Sequence, residues 1–473
     1  MVVAQCLARR WADESEDDED EWTSEAMQEL KEKLYPEIES LKDVETFLET
    51  LDAASVGNSW EDEDASSKDV NQVEEARNLL TKVESITRTT LPIHIRARKA
   101  AARALLIQYL DHDKKSPDLL QAFMEAVKLD PDNLKCWNGA AKALWNKNDL
   151  QSARMCYTKC LENSPDKKAY QDLSMLQRQI AKGLKKHEER RKLILDSVTN
   201  AKAAVALDVQ DSHSWYILGN AYLGLAFCAP TEERDDLIDK SLKTYKHAMK
   251  VHEGPRVNFD LHFNYGVVCK YLEKHLDALR AFEYCGGDKV LSGTARESIM
   301  EITQTLSQLT TLIGTSCGLK AKKVAKIREA MEVTVAAWRG RHGAVDLAPL
   351  SALKTGQNPK NVALTCSLIY TVPVKSNVPL VYICMDSRGA FFALTIYGLE
   401  ETTMPLSQSK SKTIQVVAPF VNNVEVAWQG KAYAFKSIRV NHVSSLLVDG
   451  KPVKSDQSRA KSAAQVDATH TIL

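Results

Sequence analysis

The sequence predicts a multidomain chain, an all-α tetratricopeptide-repeat superhelix followed by an all-β OB-fold-like barrel, and three observations carry that prediction. Trp215, Leu218, Gly219 and Tyr222, in the run SWYILGNAYLGL, have the spacing of the first helix of such a repeat. Pro131 and Pro165 stand 34 residues apart, the period of the repeat, and Trp137 follows Pro131 by six, where the first-helix aromatic belongs. From Asn361 onward, β-branched and aromatic runs broken by turn residues replace the helical periodicity.

At 473 residues, 44% hydrophobic and 26% charged, the chain is long enough for two or three cores. A formal net charge of -1 rules out whole-chain attraction to nucleic acid or anionic lipid and leaves local patches to meet any charged partner. No 18-residue apolar window and no long apolar leader occur, so membrane spanning and secretion are not expected. The ten cysteines form no C-x-x-C pair, and Cys156 and Cys160, on one helix face, read as small apolar fillers in a reducing compartment. No metal site or cofactor is expected.

Taken in order, residues 1–23 hold a disordered acidic N-terminus, with eight acidic positions among the nine from Asp13 to Glu21. Residues 24–318 are assigned to the helical array. Met27, Leu30, Leu34, Ile38 and Leu41 define an amphipathic helix, and a polar linker occupies residues 57–68. A long helical stretch then runs from Val70 to Tyr109 and carries Arg88, Arg96, Arg98 and Lys99 at its middle. Ala153, Tyr157 and Cys160 fill second-helix core slots, as do Phe123 and Ala126 one unit earlier. Ser241, Tyr245 and Ala248 are displaced from Tyr222 by an insertion of about ten residues containing CAPTEERDD, placed in the inter-helix loop. Gly266, Ala278, Phe282 and Cys285 mark the next unit, and a capping helix follows. Four recognisable units and one or two degenerate ones would stack as one right-handed superhelix.

Residues 319–360 are expected to be a basic connector and residues 361–455 the barrel, with turns at Asp386 to Gly389, Gln429-Gly430 and Asp449-Gly450. Five or six strands fit that span, and residues 456–473 read as a flexible tail.

Long stretches then point to a family: DLSMLQRQI at 172–180, SWYILGNAYL at 214–223, DLHFN from Asp260, LTTLI followed by LKAKK, and KSIRVNHVSSLLVDGKPV. In order and spacing, residues 100–455 resemble the tetratricopeptide repeat protein 5 family. The resemblance implies a non-enzymatic adaptor in the cytoplasm and also the nucleus. It implies recognition of the nascent tubulin N-terminal peptide, Met-Arg-Glu and an apolar residue, at the ribosome, triggering tubulin message decay. The family's other implied role is stress-responsive transcriptional co-activation within acetyltransferase complexes. Carried over residue by residue, the groove arginine falls at Arg178, whose planar fork suits a carboxylate, and the partner of the peptide arginine falls at Asp260. Read without the family, Arg178 is a solvated helix arginine and Asp260 a helix N-cap. A further acidic groove residue aligns with Thr294, a departure for which Glu297, one turn on, is the candidate substitute. The ribosome-contacting lysines align with Lys320 and Lys322 in LKAKKVAKIR, a run otherwise read as a solvated face.

Asn138 and Asn220 are candidates to bond the backbone of an extended peptide, with water as the plain alternative. Chaperone-tail binding is disfavoured, because Asn138 and Lys142 reverse the order of that carboxylate clamp and Tyr216 replaces its lysine before Asn220. The run KKHEERRK at 185–192 reads as exposed helix or loop. The barrel admits single-stranded nucleic-acid binding through Tyr382, Phe391, Phe392, Tyr397, Trp428, Tyr433 and Phe435, with Lys436 and Arg439 as cations; protein docking is the preferred alternative. No phosphate loop, metalloprotease motif or nucleophile elbow occurs, His262 reads as a packing residue, and no small-molecule substrate is expected.

Overall fold

The computed structural model describes residues 39–50, 70–86, 93–110, 117–252, 258–339, 345–375, 379–397, 413–448 and 451–453. The acidic run, the linker at 57–68, Arg88, Asp449-Gly450 and the tail lie outside them. The chain forms two compact units, residues 1–221 with 250–257 and residues 222–249 with 258–473.

The first unit is helical. Residues 39–50 form α1, whose Leu41, Val44 and Phe47 pack against Ala76, Leu79 and Val83 of α2 (Val70–Ser85) and Ile95 and Leu106 of α3 (Ile93–Leu110). Among the described residues the expected stretch from Val70 to Tyr109 contains two helices, and residues 87–92 lie outside them. Then follow α4 (Pro117–Leu129), α5 (Leu134–Asn146), α6 (Leu150–Asn163), α7 (Lys167–Gly183), α8 (His187–Leu207) and the first part of α9 (Ser212–Cys228). Three successive helices open on a side-chain cap: Asn133 accepts from the Cys136 amide at 3.1 Å, Asp149 from Ser152 at 3.2 Å and Asp166 from Ala169 at 2.6 Å. Tyr157 and Phe123 are fully buried in the slots expected for them. Cys156 and Cys160 are buried too, and burial, with Asp166 nearby, raises the Cys160 thiol to about 11, so it fills space and stays protonated. KKHEERRK is an exposed loop and the first turn of α8.

The second unit combines the rest of α9, α10 (Thr231–Val251), α11 (Phe259–Tyr271), α12 (His275–Tyr284), α13 (Leu291–Gly314) and α14 (Ala321–Arg339) with the β-domain. Here the insertion differs from expectation. It lengthens the helices, with α9 at 17 residues and α10 at 21 against 13 for α5 and 14 for α6, and leaves only a short turn between them. TEERDDLIDK has strong helix formers and early acids that suit a helix N-terminus, so propensity draws the extra residues into α10.

Ten strands were found among the described residues where five or six were expected, because short edge pairs carry no hydrophobic pattern of their own: β1 (Asp346–Leu347), β2 (Gly356–Gln357), β3 (Val362–Val372), β4 (Leu380–Asp386), β5 (Phe391–Ile396), β6 (Thr413–Val417), β7 (Phe420–Trp428), β8 (Lys431–Val440), β9 (Leu446–Val448) and β10 (Lys451–Pro452). Strands β3, β4 and β5 form an antiparallel meander, β5 pairs in parallel with β8, and β8 with β7 through a hairpin. Gln429 and Gly430 supply the positive φ angles, 46° and 77°, that this two-residue turn requires. Leu364, Cys366, Phe392, Leu394, Ile414 and Ile438 make the interior. Residues on the other face, Val372, Val381, Ile383 and Ala393, pack on Leu309, Leu312 and Ile313 of α13. Every residue of β4 is thus buried, which explains its unbroken apolar run.

Candidate peptide-binding groove

Helix α7 concentrates polar side chains where a repeat helix ordinarily buries apolar ones: Gln171, Asp172, Ser174, Gln177 and Arg178 are all buried. Neighbouring helices supply their partners. Gln171 donates to Asp211 Oδ2 at 2.7 Å and to Ser214 Oγ at 2.8 Å, Asn200 donates to Gln177 Oε1 at 2.9 Å, and Tyr157 donates to Asp172 Oδ2 at 3.2 Å. Arg178 is only 4% exposed, and its Nη1 donates to the Ile217 carbonyl of α9 at 3.1 Å. It is therefore anchored, not a solvated surface arginine. Lys182, exposed one turn further on, still loses enough hydration, with the Arg178 charge adding to it, that its ammonium is held below the usual lysine range. Two cations on one helix face favour a carboxylate beside them.

The two asparagines take different positions. Asn138 Nδ2 donates to Asp166 Oδ1 at 3.2 Å, tying α5 to the cap of α7, and Asn220 is fully buried in α9. Near Lys182, Trp145 Nε1 donates to Gln179 Oε1 at 2.6 Å, a contact between successive first helices.

In the second unit, Asp260 is exposed in the first turn of α11. The N-cap there is Asn258, whose Oδ1 accepts from the Leu261 amide at 2.9 Å, so the capping role is already filled. Thr294 is exposed, and Glu297 pairs with Lys375 at 2.9 Å, which lowers its carboxyl; its side chain is 62% exposed. His262 stacks on Tyr284 with ring centroids 4.5 Å apart. Lys320, Lys322, Lys323 and Lys326 are all exposed along the start of α14, in which Met331 is buried.

The aromatic set of the β-domain is occupied. Tyr382 and Phe392 lie in the interior, Phe391 and Phe435 pack on the α13 side, and Trp428 and Tyr433 are buried. Tyr397 and Tyr271 cover the Arg439 guanidinium at 3.9 and 5.0 Å. Neither the rings nor Arg439 present a face on which a base stacks. Arg439, a candidate cation only under the less favoured nucleic-acid reading, sits 3.7 Å from Glu273, and Asp235 of α10 accepts from Asn441 Nδ2 at 3.0 Å beside it. Glu273, Asp235 and Lys182 were missed, and only the left-handed backbone of Glu273, φ 57°, sets one of them apart. Among the described residues no cluster of three or more His, Cys, Asp or Glu is placed to hold a metal, and no helix is long and apolar enough to cross a membrane.

Residues 344–462 match the family model described as the Tetratricopeptide repeat protein 5 OB fold domain. The chain is 28% identical to mouse (Mus musculus) tetratricopeptide repeat protein 5 over 411 residues, 85% of this chain and 90% of that protein. Against the human (Homo sapiens) protein of the same name it is 29% identical over 363 residues, 75% of this chain and 80% of that one. Among solved structures it is similar to YrrB, a tetratricopeptide-repeat protein with an unusual peptide-binding site, at 18% identity and a TM-score of 0.31, covering 42% of this chain and 92% of that chain.

Proposed function

Because the chain belongs to the tetratricopeptide repeat protein 5 family, a family of repeat-built interaction adaptors, we propose that it reads the N-terminal peptide of nascent tubulin at the ribosome and so triggers decay of tubulin messages. Arg178 carries the reading. A guanidinium anchored by a main-chain carbonyl and shielded from water holds a carboxylate more strongly than a surface arginine does. Lys182 adds charge at the same place, and the peptide glutamate is their ligand. Asp260, exposed, meets the peptide arginine. Lys320 and Lys322 offer exposed cations to ribosomal RNA phosphate. The work is cytoplasmic on this reading, and no chemical step is assigned to the protein.

Burial sets the expected magnitudes apart. Losing a buried charge partner costs about 2–5 kcal/mol, so Arg178→Ala lowers affinity for a Met-Arg-Glu peptide by about 30-fold or more, whereas Asp260→Asn, at an exposed position, costs only a few-fold. Calorimetry with the full chain measures both, and circular dichroism checks the fold. Arg178→Lys, which keeps the charge and loses the fork, guards against an unfolded alanine variant and is expected to bind about tenfold more weakly. Unchanged affinity in folded Arg178 variants refutes the assignment.

A further inference from the structure

Within the second unit, a cavity of about 80 Å³, partly open to solvent, lies between α11–α13 and the β-domain. Ile302, Leu306, Leu309, Val381, Val424 and Phe435 give it mainly apolar walls. Two polar atoms on its lining are buried without a hydrogen-bond partner: Oγ of Ser437, a residue 2% exposed, and Nδ1 of His275. Native interiors rarely leave such atoms unsatisfied, because they have given up water and gained nothing in return.

The charges around the cavity are already spent. Glu273 accepts from Thr395 at 2.6 Å, Tyr397 at 3.2 Å and Asn422 at 3.0 Å, while Lys270 pairs with Glu301 at 2.7 Å. An ionic guest finds no partner, so the occupant is neutral. Its polar part must answer a hydroxyl and an imidazole nitrogen, and a hydroxyl group both donates and accepts. Water alone fits poorly: at roughly 10–15 Å³ per molecule the space admits several waters, and although polar groups stand on the rim, most of the wall is apolar and offers them no partner. The volume is about half of the ~150 Å³ cavity that admits benzene, which limits the guest to about three or four heavy atoms.

We propose that the cavity is a binding site for a small neutral hydroxyl compound the size of a short-chain alcohol, bound through Ser437 and His275 against the apolar residues of α13 and the sheet.

Methyl-resolved NMR of the full chain, titrated with 2-propanol and separately with xenon, tests it. Saturable shifts confined to the methyls of Ile302, Leu306, Leu309, Val381 and Val424, with affinity of about millimolar order, are expected for 2-propanol. Ser437→Ala weakens 2-propanol by about 3- to 10-fold, the loss of one hydrogen bond, and leaves xenon unchanged. Thr305→Ile, which adds bulk at the lining, removes both. Shifts that rise linearly and spread over the surface, or an ordered water that 2-propanol does not displace, overturn the proposal. So does an unchanged 2-propanol affinity in folded Ser437→Ala. Should that variant fail to fold, competition decides on the wild type: 2-propanol displacing xenon supports the site, and independent binding sinks it.

Discussion

Arg439 shows how much a single residue can mean that its neighbours in sequence do not reveal. In the run KSIRVNH it reads as a surface cation on a strand, yet its side chain is 4% exposed and that of Glu273 is 5% exposed, 3.7 Å away. Its Nε donates to Asn441 Oδ1 at 2.6 Å, Nη1 donates to the Tyr271 carbonyl, and the Tyr397 ring lies beneath it. Burial and then Glu273 raise the Tyr397 hydroxyl well above its ordinary range, so it remains a donor to that carboxylate. A buried pair of this kind is costly to break from one side, because the surviving charge stays in a dry site. Arg439→Met is therefore expected to destabilise the second unit by about 3–5 kcal/mol in urea unfolding. Adding Glu273→Gln to that variant returns part of the loss, since the orphaned carboxylate is then gone. A double variant no more stable than Arg439→Met alone would show that the stacking on Tyr397 and Tyr271, and not the charge pair, dominates.

At the scale of the helices, much was legible because the repeat writes its packing into the sequence at fixed spacing. Ala153, Tyr157 and Cys160 are all fully buried, and Phe282 packs edge-on to Phe263 5.3 Å away. What the period fails to state is which small residue is indispensable. A Cβ on Gly139 would stand 2.2 Å from the Phe123 ring, whereas one on Gly266 would meet Phe282 at 2.9 Å. Helix propensity alone predicts that alanine stabilises either position by about 1 kcal/mol. At Gly139 the clash must win, because the ring is fully buried between α4 and α5 and has no room to retreat. Gly139→Ala is expected to lower stability by about 1–3 kcal/mol, and Gly266→Ala by less. Thermal melts of the two variants side by side give the order, and a Gly139→Ala protein as stable as the wild type would mean that α4 and α5 move apart freely. The insertion in α9 and α10 was legible as extra length but not as extended helix. Asp235, on the lengthened α10, meets Asn441 across 206 residues of sequence, a separation that no local pattern encodes.

On the scale of the whole second unit, helices and strands share one buried polar seam, and its protonation ties folding to pH. His275 belongs to that seam. Burial foremost, with Arg439 adding to it and Glu273 opposing, holds its imidazole below the ordinary 6.5. Asp235 also titrates low: burial would raise it, but hydrogen bonds and charge from His442, Arg439 and Asn441 outweigh that and bring it below 3.8. The groups facing His275 around the cavity are Glu273, Lys270, Glu301 and Tyr397, with Arg439 behind Glu273. Both shifted groups have folded values below their unfolded ones, so each contributes stability that is complete above its unfolded value and drains away as pH falls through the window beneath it. For His275 the window opens at about pH 6.5, and for Asp235 at about pH 4. Acidification from pH 7.5 to 5.5 is thus expected to lower the unfolding midpoint of the full chain through the first group while sparing the second. The chain holds eleven histidines, so the contribution of one is isolated by difference. His275→Gln, neutral at every pH, should lose less stability over the interval than the wild type does, by a margin that grows toward pH 5.5. Parallel pH profiles for the two proteins would place the acid sensitivity elsewhere and leave His275 a purely structural part of the seam.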